Sequence, residues 1–199
     1  MTKVQENKRT KLDHLVEAAS ALFTEKGVDL VSVAEIARRA GVAKGTFYLY
    51  FKDKEHLRDY IMARESIKLF KEADRRLREN PQPTFPSSIL YLIHEVVTQL
   101  ENNTNLLYFL RHSLSYALFR TNLTELMDTD EFNLTERFSQ LAAYYGWKLK
   151  DAQKTLFFIV ELAGSTCYSC LVENRPDTLE NTRNALYEAI TALLEAGKE

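Results

Sequence analysis

An all-α fold is predicted by three observations: scarce Gly and Pro, long stretches free of both, and a compact helix-turn-helix pattern near the amino terminus. The 199 residues include six Gly and four Pro, against a usual combined share of about 12%. Neither occurs between Phe51 and Asn80 or between Ser87 and Tyr145, so nothing there interrupts a helix. About nine helices are expected, as an amino-terminal three-helix domain followed by a larger helical domain. A chain of this length buries roughly 70% of its unfolded surface, enough for a substantial core.

The chain opens with Lys3, Lys8, Arg9 and Lys11, which fit either a flexible arm or a first-turn cluster able to meet phosphate. A merely solvated chain end is the competing reading. Ser32 and Glu35 then have the Ser-x-x-Glu form of a capping box, which places a helix start at Val33. Ile36, Ala37 and Ala40 share one face at helical spacing, leaving Arg38 and Arg39 toward solvent or phosphate. Gly41 marks the helix end, because glycine takes a left-handed backbone cheaply there.

Val42 is expected to plug the corner, with a second helix starting near Ala43 or Lys44. Phe47 and Phe51 anchor that helix, while Lys44, Gly45, Thr46, Tyr48 and Tyr50 lie close to its exposed start. Taken alone, aromatic residues four apart on a helix are more often core. The capped helix and turn ahead of them favour a helix that enters a phosphate-lined groove. Gly45 lets backbone approach a phosphate, Lys44 reaches a phosphate or a guanine edge, and Thr46 offers a hydroxyl and a methyl. Double-stranded DNA is therefore the expected partner.

Ile36, Ala37, Ala40, Gly41, Val42, Lys44, Gly45, Tyr48 and Phe51 together resemble the amino-terminal signature of the TetR family of transcriptional regulators. The match extends upstream through Ala18, Ala19, Leu22, Phe23 and Gly27, and downstream through Lys52, Lys54, Glu55 and Leu57, about the first third of the chain. The resemblance implies a DNA-binding domain over residues 8–58, with its motif at 32–51, and an effector-binding and dimerisation domain over 80–199. It implies a homodimer that binds a palindromic operator and releases it when a small effector binds. Carried over by position, DNA contacts fall on Ser32, Ala34, Lys44, Gly45, Thr46, Tyr48, Tyr50 and Lys54. Most would touch phosphates, with base reading assigned to Lys44 and Thr46. Ala43 stands where the family often has a capping Ser, and Tyr50 where it often has His. Both departures leave the operator sequence open.

Charge divides along the same line. Residues 1–58 hold 11 Lys or Arg against 8 Asp or Glu, whereas 59–199 hold 15 against 20, so the basic excess accompanies the motif. No run approaches the roughly 20 continuous apolar residues of a membrane span, and the polar start MTKVQENKRTK lacks a signal-peptide core. A soluble cytoplasmic protein is expected. No phosphate-binding glycine loop, Gly-x-Ser-x-Gly elbow or His-Glu-x-x-His pair appears, so the chain is read as a non-enzyme without cofactors. A DNA-binding activator or architectural protein without an effector is the alternative to a ligand-released repressor.

Beyond the motif a helix is expected over residues 53–79, long enough to serve both domains and to carry a shift between them. The run Asn80-Pro81-Gln82-Pro83-Thr84-Phe85-Pro86 stops it. A further helix over 150–173 contains Leu156-Phe157-Phe158-Ile159-Val160, apolar on more than one side, and needs cover nearly all round. The last helix is read as capped by Asp177, with Leu179, Leu186, Ile190, Leu193 and Leu194 as its apolar stripe. Dimerisation through these two helices is expected, placing Phe157, Val160, Leu179, Leu186, Ile190 and Leu193 at the interface. Burial of the 150–173 helix within its own chain is the competing reading.

For the effector, Tyr91, His94, Phe109, His112, Tyr116, Phe119, Trp147, Phe158, Cys167 and Tyr168 are candidate lining of a pocket for a small hydrophobic or aromatic molecule. Plain core is the competing reading for each aromatic taken singly. Cys167 and Cys170 share a helix face, but no second tight pair accompanies them, so no metal site is assigned and small apolar filler is preferred.

Overall fold

The computed structural model describes residues 3–102 and 133–199, and the regular elements among them are eight α-helices. The predicted pocket residues Phe109, His112, Tyr116 and Phe119 lie outside the described residues. The chain divides into two compact units, 1–62 and 63–199, and the division falls inside one helix.

The first unit holds α1 (Lys3–Lys26), α2 (Val33–Arg39), α3 (Lys44–Phe47) and the start of α4 (Lys54–Glu79). Lys3, Lys8, Arg9 and Lys11 all belong to α1, so the basic start is helical rather than an arm. Leu15, Ala19, Leu22 and Phe23 of α1 are buried together with Ile36 and Ala37 of α2 and with Phe47 and Phe51. Gly27 ends α1 with φ +80 and gives its N–H to the Phe23 carbonyl at 2.9 Å.

The second unit holds the rest of α4, then α5 (Phe85–Glu101), α6 (Leu134–Tyr144), α7 (Ala152–Val172) and α8 (Leu179–Ala196). Pro81 and Pro83 follow the end of α4, and α5 starts from a reciprocal cap. The Ser87 N–H donates to Thr84 Oγ1 at 3.2 Å, and the Thr84 N–H donates to Ser87 Oγ at 3.1 Å. The core joins Leu69, Ala73 and Leu77 of α4 to Phe85, Ile89, Phe138, Ile159, Ile190 and Leu194. Each large aliphatic side chain withdrawn from water here contributes about 1.5–3 kcal/mol.

One expectation about α8 needs correction. The cap of α8 is Thr178, whose Oγ1 accepts the Asn181 N–H at 3.4 Å. Asp177 sits one residue earlier and accepts the Thr178 N–H at 2.7 Å. The shorter Thr side chain sits where the turn needs an acceptor, and the Asp carboxylate braces it. On α7, Leu156, Ile159 and Val160 are buried, while Phe157 and Phe158 stay 39% and 51% exposed. This helix is also long and apolar enough to cross a bilayer by length and composition, although its buried face packs on α5, α6 and α8.

Candidate nucleic-acid interface

The geometry between α2 and α3 follows from one cap and one glycine. Ser32 Oγ accepts the Glu35 N–H at 3.2 Å, which fixes the start of α2. The Glu35 carboxylate takes the Lys26 ammonium as its main partner, with the backbone at Ser32 a smaller contributor, and these hold its pKa below the usual carboxylate range. The Ser32 half of the capping box is therefore formed, while the Glu35 carboxylate turns to Lys26 of α1, because an ammonium attracts a carboxylate more strongly than a neutral N–H does.

At the other end Gly41 adopts φ +68, its N–H meets the Arg38 carbonyl at 3.2 Å, and the Val42 N–H meets the Ala37 carbonyl at 3.0 Å. These two bonds make a Schellman termination, and the left-handed residue that it requires is glycine. The chain is thereby turned into α3 within three residues.

α3 is shorter than the sequence suggested. It spans Lys44–Phe47, and Ala43 before it supplies no side-chain acceptor. The Leu49 and Tyr50 N–H groups bond to the Thr46 and Phe47 carbonyls at 3.2 and 3.0 Å, so residues 48–50 continue as tight turns. Phe47 and Phe51 are buried with ring centroids 5.8 Å apart, and Tyr60 of α4 packs on Phe51 at 5.4 Å. This aromatic cluster anchors a segment too short to be stable alone.

Five of the predicted contact residues, Ser32, Ala34, Lys44, Gly45 and Tyr48, are exposed, and Thr46 is half-buried. Leu30 and Leu49 add exposed apolar surface beside them. A Cβ placed on Gly45 would meet nothing within 4 Å, and its φ is not of the kind that demands glycine. The fold therefore does not require glycine at this position.

Tyr50 and Lys54 are placed differently. Tyr50 is 8% exposed and its hydroxyl donates to the Lys8 carbonyl at 3.0 Å, tying the turn after α3 to α1. Burial also pushes its phenol pKa up. Lys54 directs its ammonium at the carbonyls of Val28, Asp29 and Val31, at 2.9, 2.9 and 3.1 Å. Each of its N–H groups thus has an acceptor inside the protein, and the loop before Ser32 is drawn around it. Arg39 is likewise held by α1, with both terminal nitrogens on the Glu25 carboxylate at 2.8 Å. Sequence reasoning did not find these supporting roles, because the partners are backbone carbonyls and a distant carboxylate that carry no motif.

In the second unit the structure holds a largely apolar cavity lined by side chains of α4, α5, α6 and α7. Of the predicted pocket residues, Cys167 lines it. Tyr91 and Trp147 pack against the main core, His94 stands 3.4 Å from the Tyr187 hydroxyl, Tyr168 is half-buried, and Phe158 faces outward. The Cys167 thiol is pushed up to about 12 by burial, so it is a neutral filler. Of the predicted interface residues, Val160, Leu179, Leu186 and Ile190 are buried within the chain, Leu193 is half-buried, and Phe157 is exposed. Long apolar stripes do not reveal from sequence which edge faces the chain's own core.

Residues 15–61 match the family model described as bacterial regulatory proteins, tetR family. The chain is similar to the HTH-type transcriptional regulator AcrR of Shigella flexneri, with 32% identity over 100 residues, covering 50% of this chain and 44% of that protein. It spans from 24% to 44% of the length of several curated relatives that it matches. Among solved structures, a TetR transcriptional regulator from Rhodococcus sp. RHA1 aligns with TM-score 0.64 and 22% identity, covering 96% of this chain and 98% of the other. The regulator FadR from Bacillus subtilis in complex with stearoyl-CoA aligns with TM-score 0.57 and 19% identity, covering 89% and 96%. At these identities the structural likeness concerns the fold.

Proposed function

We infer that this chain, which through residues 15–61 belongs to the TetR family of bacterial regulatory proteins, acts as a ligand-released homodimeric repressor at a palindromic operator. DNA-binding transcriptional regulation is the coarser statement and follows from the family match together with the relatives named as transcriptional regulators. The observation that carries the finer reading is the exposed set Ser32, Ala34, Lys44, Gly45 and Tyr48, displayed by a turn that Tyr50 and Lys54 brace from behind. In this proposal Lys44, Gly45 and Tyr48 meet phosphates, Thr46 and Lys44 read base edges, and Tyr50 and Lys54 hold the reading segment in place. The last two differ from the contacts that position alone implies, because their donors have internal acceptors.

The dimer is proposed through the outward face of α7, where Phe157 and Phe158 are exposed. A symmetric pair would set two reading segments about one helical turn of DNA apart, about 34 Å, and so require a palindrome. α4 runs without a break from Lys54 to Glu79, and we assign to it the transmission of an effector signal to the reading segment. A cytoplasmic location belongs to the same reading.

Selection from random duplexes at near-physiological salt tests the proposal. The native protein is expected to enrich a palindrome, and the Lys44→Ala, Tyr48→Ala double variant to enrich none while melting at the native temperature. Enrichment of the same sequence by both proteins would remove DNA reading from α3.

A further inference from the structure

We propose that Leu49 is a further base-reading residue, whose side chain seats on the 5-methyl group of a thymine in the major groove of the operator. This rests on the DNA-reading proposal above and adds to it one base at a fixed place in each half-site. Leu49 is 79% exposed, as open as any large apolar side chain among the described residues. A single exposed leucine on an ordinary surface needs no explanation. Its place on the reading segment is what gives this one a role.

Phe47, Tyr50 and Phe51 are buried in the first unit, and they fix which side of the segment is turned outward. The Leu49 N–H donates to the Thr46 carbonyl at 3.2 Å, which sets Leu49 one tight turn beyond Gly45 and Thr46. Lys44, Gly45, Tyr48 and Leu49 are the exposed residues of this stretch. Gly45 has no side chain to hold the segment off a groove floor, so the side chain of Leu49 supplies the apolar bulk there.

A leucine brings a phosphate neither a donor nor a charge. On the floor of a major groove the methyl group of thymine is the apolar feature that distinguishes one base from the rest. Against a purine edge the leucine would strip water from polar atoms and return no hydrogen bond. The contact therefore selects as well as attracts, beside the polar reading assigned to Lys44 and Thr46. Leu30 is equally exposed, but it precedes α2 and shares a groove with Tyr48 and Lys52, outside the reading segment.

Removal of single methyl groups from the DNA tests this. In the operator that the native protein selects, each thymine of one half-site is replaced in turn by deoxyuridine, which pairs identically and lacks only the methyl. Affinity is measured at one fixed salt concentration. The native protein should show one position at which the replacement weakens binding about fourfold, the effect of returning one methyl group to water. Leu49→Ala should bind the unmodified operator at least fourfold more weakly and respond to the replacement at that position less than twofold. Leu30→Ala should keep the native response, and so should Thr46→Ser, which removes the other methyl group close by. Melting at the native temperature confirms that each variant is folded.

A flat deoxyuridine scan on a selected operator overturns this inference and leaves the regulator reading standing. So does a native response in Leu49→Ala, above all if Thr46→Ser abolishes it. A change in the sedimentation of free Leu49→Ala protein, with the scan unaltered, would make the leucine a contact between copies and overturn its reading role. Selection of no sequence by the native protein overturns the regulator reading and this inference together.

Discussion

The α2–α3 turn and the cavity of the second unit place their charged groups in opposite ways. Around α3 the cations and hydroxyls that support the surface have found internal partners: Lys54 on three carbonyls, Arg39 on Glu25 and Tyr50 on Lys8. What remains exposed there is Ser32, Ala34, Lys44, Gly45 and Tyr48, with Leu30 and Leu49 beside them. In the cavity the lining is almost wholly apolar, and its two charged residues, Asp74 and Arg137, are paired with each other. A displayed polar surface has to be held rigid from behind, whereas an apolar cavity keeps the few charged groups of its lining paired with each other.

That contrast breaks most visibly through the core that supports the cavity. Ile190 is fully buried, so Ile190→Ala should lower stability by about 2–5 kcal/mol in a denaturant titration, with DNA affinity of the remaining folded protein unchanged. An unchanged midpoint would mean that the core collapses around the loss.

Lys54→Met keeps the aliphatic stem and removes the bonds to Val28, Asp29 and Val31. Hydrogen bonds to a charged group contribute about 1.5–3 kcal/mol and do not add, so a loss of about 2 kcal/mol is expected, together with weaker DNA binding. Loss of DNA affinity at full stability would reassign Lys54 to a direct phosphate contact. Tyr50→Phe should cost about 1 kcal/mol through the bond to Lys8. Its DNA affinity should change less than that of Tyr48→Phe, and the opposite ranking would exchange the two roles.

A further effect is in pH. The Cys167 thiol is held protonated in the folded chain up to about 12, whereas in the unfolded chain it ionises near 8.5. Between those values the folded state binds more protons, so its contribution to stability is complete below pH 8.5 and declines above it. Cys167→Ala should flatten this alkaline decline in melting temperature, and an identical slope in both proteins would place the titration elsewhere.

The legible parts of the fold are those governed by local rules. Ser32, Gly41 and the Pro81–Pro86 stretch announced helix boundaries that the structure has within a residue or two, because caps and left-handed turns depend on neighbours in sequence. The length of α3 was not legible, since the aromatic spacing from Phe47 to Phe51 is satisfied equally by a helix and by the tight turns observed. Thr178 displaced Asp177 as a cap for a similar reason: two adjacent acceptors compete, and the loop path decides. In the candidate site, the exposure of Lys44, Gly45 and Tyr48 was legible from the motif. The inward turn of Lys54 was not, because its acceptors are carbonyls that every residue possesses. Arg137 was missed altogether: its partner Asp74 lies on another helix, and no spacing connects them.

Gly45 tests the central claim most directly, because an added methyl group meets open space within the chain. Replacing it with Ala should leave the melting temperature equal or slightly higher, by up to about 1 kcal/mol of helix propensity, while weakening operator binding at least tenfold. Unchanged operator affinity in a folded Gly45→Ala protein would contradict the account, for it would show that no DNA backbone comes close to this exposed turn of α3.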